Sequence, residues 1–321
     1  MSFDSVSIAT CESVLTEKDL IRYCEDSIAQ GSKTFSFASR FFSKSEAQGA
    51  SLLYAWCRYC DDQIDDAEID QQVVRMNELQ KLTELALRSD EPVPMPFLAL
   101  RWVVRRFEIP HTYPFELLQG FRMDVENRRY ETIEDLKVYC YRVAGVVGLM
   151  MAHIMGVNEI SALRAACDLG LAMQLTNCAR DVKADWQMGR VYLPMRDLER
   201  AGFSRDRIFS KRDGLWRKPQ GVHEVVKELL CEADRLYQSG ERGVIHLPAK
   251  SSLVILIARF SYARIGTEVL KRGAGAWEDR VVTTRLQKVG CLLNAVFVWI
   301  RCWPQRKKFV RVSDLPVWRI Q

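Results

Sequence analysis

The chain has 321 residues, 48% hydrophobic and 27% charged, proportions that exclude disordered and collagen-like chains. Lys and Arg outnumber Asp and Glu 46 to 41, and the tail holds the whole +5 excess: Arg301, Arg306, Lys307, Lys308, Arg311 and Arg319 stand against Asp314 alone. Residues 1–300 are therefore neutral, and the basic tail, interleaved with Trp303, Phe309 and Trp318, reads as a solvated terminus or as a contact for anionic lipid or nucleic acid, of which no nucleic-acid partner is expected. The longest apolar runs, 143–157 (broken by His153) and 291–300, are shorter than the roughly 18–20 residues of a membrane-spanning helix. Residues 1–15 lack the basic start and apolar core of a secretory signal, so a cytoplasmic location is expected.

In chain order, Thr16 and Asp19 mark a helix start before the apolar pattern of 20–29, which Gly31 interrupts. A polar segment, Gly31-Ser32-Lys33-Thr34, follows. Residues 51–64 are apolar on nearly every face and predict a buried helix. Pro92, Pro94 and Pro96 punctuate the chain before helical spacing resumes over 97–107, 114–125, 133–156 and 160–186. Residues 201–221 are polar and glycine-containing, a loop region, after which helices are predicted over 222–237, 252–270 and 282–300. With strand runs scarce and no solenoid repeat, the expectation is one all-α domain over 1–300 and a basic, aromatic tail over 301–321. Most of the ten cysteines stand singly in apolar runs and read as small buried hydrophobes. The C-x-x-C pair Cys57 and Cys60 has no second pair to complete a zinc site.

Two stripes break this pattern. Tyr54, Arg58, Asp61 and Asp65 follow i, i+4, i+7, i+11, and with Asp62 and Asp66 they place four carboxylates within six residues of an otherwise apolar helix. Like charges one turn apart repel, and acids at a helix C-terminus oppose the macrodipole. Arg58 can neutralise only one of them, and the apolar flanks Leu52, Leu53, Trp56 and Ile64 leave little room for a wet face. Gln174, Asn177, Asp181 and Asp185 stand at i, i+3, i+7, i+11 of a second apolar helix, with Arg180 beside them. Two such stripes more than a hundred residues apart suggest facing walls of one cavity that collects cations. Oxygen ligands without His or Cys suit Mg²⁺ or Mn²⁺, which takes one or two carboxylates per ion with water and substrate phosphate completing the shell. A phosphorylated substrate is expected, with Lys33, Arg58, Arg180 and Arg190 as its partners. No P-loop or dinucleotide fingerprint is present. The small residues of 143–152 fit either tight helix packing or an apolar ligand channel.

These segments, with Gly189-Arg190-Val191-Tyr192-Leu193-Pro194 downstream and Gly31-Ser32-Lys33-Thr34-Phe35 upstream, resemble the squalene/phytoene synthase family over roughly residues 20–270. The resemblance implies the isoprenoid synthase fold, a single helical bundle with a central apolar cavity. It further implies that Asp61, Asp65, Asn177, Asp181 and Asp185 hold metal ions bound to diphosphate. Ser32, Lys33, Tyr54, Arg58, Gln174, Arg180, Arg190 and Tyr192 would contact the diphosphate or orient the ligands, and Tyr139 and Tyr262 would stand near the reacting carbons. Ala184 departs from the family, where relatives often carry an acid. The implied reaction is head-to-head condensation of two geranylgeranyl diphosphates, the wording of the motifs being closest to bacterial phytoene synthases. A squalene or dehydrosqualene synthase acting on farnesyl diphosphate is the alternative, and a non-catalytic helical scaffold is a third reading. Some relatives have been linked to ATP, for which no site can be read here. The oily substrate and the basic, aromatic tail together raise a peripheral membrane contact.

Overall fold

The computed structural model describes residues 17–31, 42–209 and 214–306, and these form helices joined by short turns with no strand among them. The helices are α1 (Glu17–Gly31), α2 (Lys44–Asp65), α3 (Gln72–Arg88), α4 (Met95–Arg106), α5 (Thr112–Val125), α6 (Ile133–Cys140), α7 (Val146–Ile154), α8 (Ile160–Arg180) and α9 (Val182–Gln187). They continue as α10 (Met195–Arg200), α11 (Arg205–Ile208), α12 (Pro219–Arg242), α13 (Ala249–Arg272) and α14 (Arg285–Arg301). Ser32 and Lys33, and the tail beyond residue 306, lie outside the described residues.

Local chemistry accounts for boundaries that hydrophobic periodicity misplaced. α2 starts at Lys44 rather than 51, because Ser43 and Glu46 form a reciprocal capping box. Glu46 also accepts a 2.7 Å hydrogen bond from Ser251 Oγ, which ties the start of α2 to α13. The stretch 133–156 is not one helix: α6 passes through a π-helical turn, Tyr141–Gly145, into α7. The expected helix 160–186 breaks at Asp181, whose backbone (φ −100°, ψ 13°) caps α8 before α9 resumes.

Two apolar cores result. One joins α1–α5 and α7 around Trp56, Phe97, Leu100 and Met150; the other joins α6, α8, α12 and α13 around Leu136, Leu175, Val226 and Leu229. α5 contributes Phe121 to the first core and Met123 to the second, so Asp124 stands at their junction. The small residues of 143–152 serve packing. A Cβ at Gly148 would overlap the carbonyl oxygen of Ala166, and one at Gly170 that of Ala144, so α8 crosses both α7 and the π-helical turn before it with backbones in contact. Cys57 and Cys60 are free thiols pushed up by burial, Cys57 to about 12, as expected of small apolar residues rather than a redox pair.

Candidate active site

The last turns of α2 carry the first stripe. Arg58 grips Asp62 (Nη2 to Oδ1 2.6 Å, Nε to Oδ2 3.0 Å) and approaches Asp61 only to 3.7 Å. The arginine thus neutralises Asp62, which, like Asp66, is outside the expected metal set. Burial, then Asp65, pushes the Asp61 carboxyl up to about 6 against the pull of Arg58. The expectation that apolar flanks exclude a wet face is overturned: the side chains of Arg58, Asp61 and Asp65 are 47%, 45% and 42% exposed. Leu52, Leu53, Trp56 and Ile64 are buried on the other side of the helix, which leaves the polar stripe open. Tyr54 lies one turn earlier, within reach of the charges on Arg58, Asp62 and Asp61.

The second stripe surrounds the break after α8. Arg180 donates to Asp181 through Nε (2.8 Å) and Nη2, and Arg280 adds contacts at 3.3 and 3.4 Å. Burial raises Asp181, but these two guanidiniums outweigh it and hold the carboxyl below its ordinary range. Asp185 has no such clamp; burial and Asp181 push it up to about 7. Asn177 donates to Gln174 Oε1 at 3.2 Å, while its own Oδ1 is buried without a hydrogen-bond partner.

Arg190 connects the walls. From the turn after α9 its Nη2 reaches Asp65 Oδ1 at 2.8 Å, a contact between residues 125 positions apart. Beneath this pair lies Asp124, which accepts hydrogen bonds from Tyr192 (2.7 Å) and Tyr139 (2.9 Å). Burial pushes Asp124 up to about 6, opposed by the two hydroxyls and Arg190 and assisted by Asp65. The rings of Tyr139 and Tyr192 stack at 4.9 Å, with Tyr130 5.6 Å from Tyr139. A small void beside them is lined by Cys178, Val182, Asp185, Arg190, Tyr192 and Leu215.

The structure therefore assembles Arg58, Asp61, Asp65, Tyr139, Arg180, Asp181, Asp185, Arg190 and Tyr192 into one charged region, with Gln174 and Asn177 on the turns of α8 leading to it. Tyr262, on α13, lies within electrostatic reach of Arg180 and Tyr237. Among the described residues no three acids, histidines or cysteines converge closely enough to hold one ion; arginines take up the carboxylates instead. Sequence reasoning missed Asp124 and Arg280. Asp124 carried a signal: with Leu117 and Phe121 it falls at i, i+4, i+7, an acid continuing the buried stripe of α5. Arg280 carried none, since it stands in an irregular segment far from the stripes in sequence.

Helix ends bearing carboxylates, brought together within an all-α framework over buried arginines and tyrosines, define an isoprenoid synthase. The chain belongs to the squalene/phytoene synthase family, whose model matches residues 28–287. It is 40% identical over 282 residues to the 15-cis-phytoene synthase of Paracoccus sp. (85% of this chain, 90% of that protein). With the 15-cis-phytoene synthase of Pantoea ananas it shares 37% identity over 290 residues (88% and 92%). A solved dehydrosqualene synthase in complex with ligand superposes with a TM-score of 0.77 at 28% identity, over 88% of this chain and 98% of that one. The squalene synthase HpnC from Alicyclobacillus acidocaldarius shares the fold at a TM-score of 0.70 and 24% identity, over 79% of this chain and 94% of that one.

Proposed function

We propose that the protein is a phytoene synthase that joins two molecules of geranylgeranyl diphosphate head to head through a cyclopropyl (prephytoene) diphosphate. Kinship with bacterial 15-cis-phytoene synthases supports this reading, and so does one observation above the rest: Arg190 joins the Asp65 wall to the Asp124 and Asp185 cluster. In the first half-reaction the C–O bond of one diphosphate breaks, and the allylic cation alkylates the double bond of the second substrate. Proton loss then closes the cyclopropane. In the second, the remaining diphosphate leaves, the skeleton rearranges, and loss of a further proton gives the linear hydrocarbon.

The donor set fits a hard divalent ion. It is all oxygen, Asn177 Oδ1 is a buried acceptor without a partner, and Asp185 lacks a close guanidinium. Asp61, Asp65, Asn177, Asp181 and Asp185 would hold Mg²⁺ or Mn²⁺, which supplies Lewis-acid withdrawal of charge from the departing diphosphate. Arg58, Arg180 and Arg190 would bind diphosphate oxygens through paired N–H donors. The Tyr139 and Tyr192 hydroxyls, fixed by Asp124, face this region with burial holding both phenols neutral. Ser32 and Lys33 keep a proposed diphosphate role by resemblance, as does Tyr262 near the reacting carbons. Among the described residues no helix is long and apolar enough to cross a membrane, and contact with one is proposed as peripheral.

The test is incubation of the purified protein with geranylgeranyl or farnesyl diphosphate and Mg²⁺ or Mn²⁺, in detergent, with identification of the hydrocarbon. A forty-carbon triene core from the first substrate is expected. A thirty-carbon product from the second alone would move the protein to the dehydrosqualene or squalene synthases.

A further inference from the structure

α14 begins at Arg285, where the family match is about to end at residue 287, so nearly all of this helix lies beyond the region that the family model covers. Its inner face, Cys291, Ala295 and Val298, is buried against α13. The outer face is apolar as well. Leu286, Val289, Leu293, Phe297 and Ile300 follow i, i+3, i+7, i+11, i+14 and stand 53–85% exposed, and Trp303 extends the stripe at 53%. A helix that buries one apolar face and, among the described residues, leaves a second apolar stripe uncovered offers that stripe to a partner.

Charge selects the partner. Arg285, Lys288 and Arg301 are exposed around the stripe, and the sequence contains no acid between Asp279 and Asp314. A second copy of the chain docked through the same face would bring these cations together with nothing to balance them. An anionic bilayer complements both features: the apolar side chains enter the acyl boundary while the flanking cations meet headgroup phosphates. We infer that α14 lies in the plane of an anionic membrane surface through Leu286, Val289, Leu293, Phe297, Ile300 and Trp303. The docked helix is connected directly to the site, because Arg280, five residues before its start, contacts Asp181.

The inference rests on the peripheral-membrane reading above and locates the contact on α14 rather than on the tail alone. It is tested with the full chain by co-sedimentation with vesicles of phosphatidylcholine, pure or containing phosphatidylglycerol. Partitioning at least tenfold stronger onto the anionic vesicles is expected, weakening with salt. The double variant Leu293→Asp/Phe297→Asp, both positions being exposed, should lose at least tenfold of that binding. Deletion of residues 307–321 should leave more than half of it. Should the double variant fail to fold, Lys288→Glu/Arg301→Glu asks the same question through charge, with a loss of at least fivefold expected. Binding by a folded variant equal to that of the unaltered chain overturns the inference. So does light scattering that shows a dimer split by Leu293→Asp/Phe297→Asp with no vesicle binding, since the face would then belong to a second copy. Turnover in detergent should be unchanged in these variants. A chain without forty-carbon product in detergent would refute the proposed reaction and leave the vesicle result standing.

Discussion

Replacing Arg190 by Gln separates structure from chemistry at the point where the walls meet. The pair it forms with Asp65 involves a carboxylate side chain that is 42% exposed, so its static contribution to stability is at most about 1 kcal/mol. Asp124 and Asp185 lose a neighbouring cation, but their carboxyls already sit near 6 and 7 and can take up a proton instead of remaining as unbalanced charges. The melting temperature should therefore fall by no more than about 2–4 °C. Catalysis is a different matter, because a charge-assisted donor aimed at a departing oxyanion is worth about 3–4 kcal/mol, or roughly 10²–10³ in rate. The loss should fall on kcat more than on KM if the contact strengthens as the C–O bond breaks. Arg190→Lys, which keeps the charge but not the fork, should fall between. Steady-state kinetics with geranylgeranyl diphosphate, alongside circular dichroism and thermal melts, reads all three. A folded Arg190→Gln protein with kcat within about fivefold of the unaltered enzyme would refute the leaving-group role, since about 1 kcal/mol then suffices to describe the residue.

Asp61→Ala and Asp181→Ala should each abolish hydrocarbon formation with the helical circular dichroism signal intact; near-normal turnover in either purified variant would remove that acid from the metal set. Asp61, Asp124 and Asp185 have carboxyls raised in the folded protein to about 6, 6 and 7, above the unfolded value of about 4. The folded state therefore binds more protons between those limits, and the stability these groups confer is full below about pH 4 and is lost as pH rises through about 7. For the same reason Mg²⁺ with inorganic diphosphate should release protons on binding at pH 6.5, detected by calorimetry in buffers of different ionisation enthalpy. A heat of binding independent of the buffer would contradict this. Gly148→Leu should destabilise the fold by about 3 kcal/mol or more in urea titration, because its side chain would meet the Ala166 backbone, whereas Gly275→Ala, in ordinary contact only with Glu278, should shift it little.

Residue type made the acids legible in the sequence, and residue spacing made the fold class legible. Tyr54, Arg58, Asp61 and Asp65 interrupt a stripe that should be aliphatic, and such an interruption can be read without coordinates. The break at Asp181 could not be, because no Gly, Pro or Asn marks it, and the ladder resumes at once with Asp185 N–H donating to the Asp181 carbonyl at 2.9 Å. Its effect is local but important: Asp181 becomes a cap beside Arg180 instead of a mid-helix residue above Asp185. Openness of the first wall was also hidden, since apolar neighbours in sequence say how much of a helix is buried and not which side of it a domain leaves uncovered. Arg280 lay furthest from reach, because only the packing of α13 and the turn after it brings residue 280 to residue 181.

The division of labour among the cations follows from counting the charges that converge. Six carboxyls (Asp61, Asp62, Asp65, Asp124, Asp181 and Asp185) meet four guanidiniums (Arg58, Arg180, Arg190 and Arg280). The arginines settle on Asp62, Asp65 and Asp181, and the acids they do not clamp are the ones whose carboxyls are raised toward neutrality. A diphosphate adds negative charge to a region already short of cations, so it cannot enter alone without raising those carboxyls further. Entry together with divalent ions, as proposed, would reverse the sign: Asp61 and Asp185 would give up protons, and Arg180 and Arg190 would exchange carboxylates for phosphate oxygens. The proposed set therefore predicts that diphosphate and Mg²⁺ bind with mutual dependence, each weak without the other, with the Arg180–Asp181 and Arg190–Asp65 pairs opening as the two arginines turn to the leaving group.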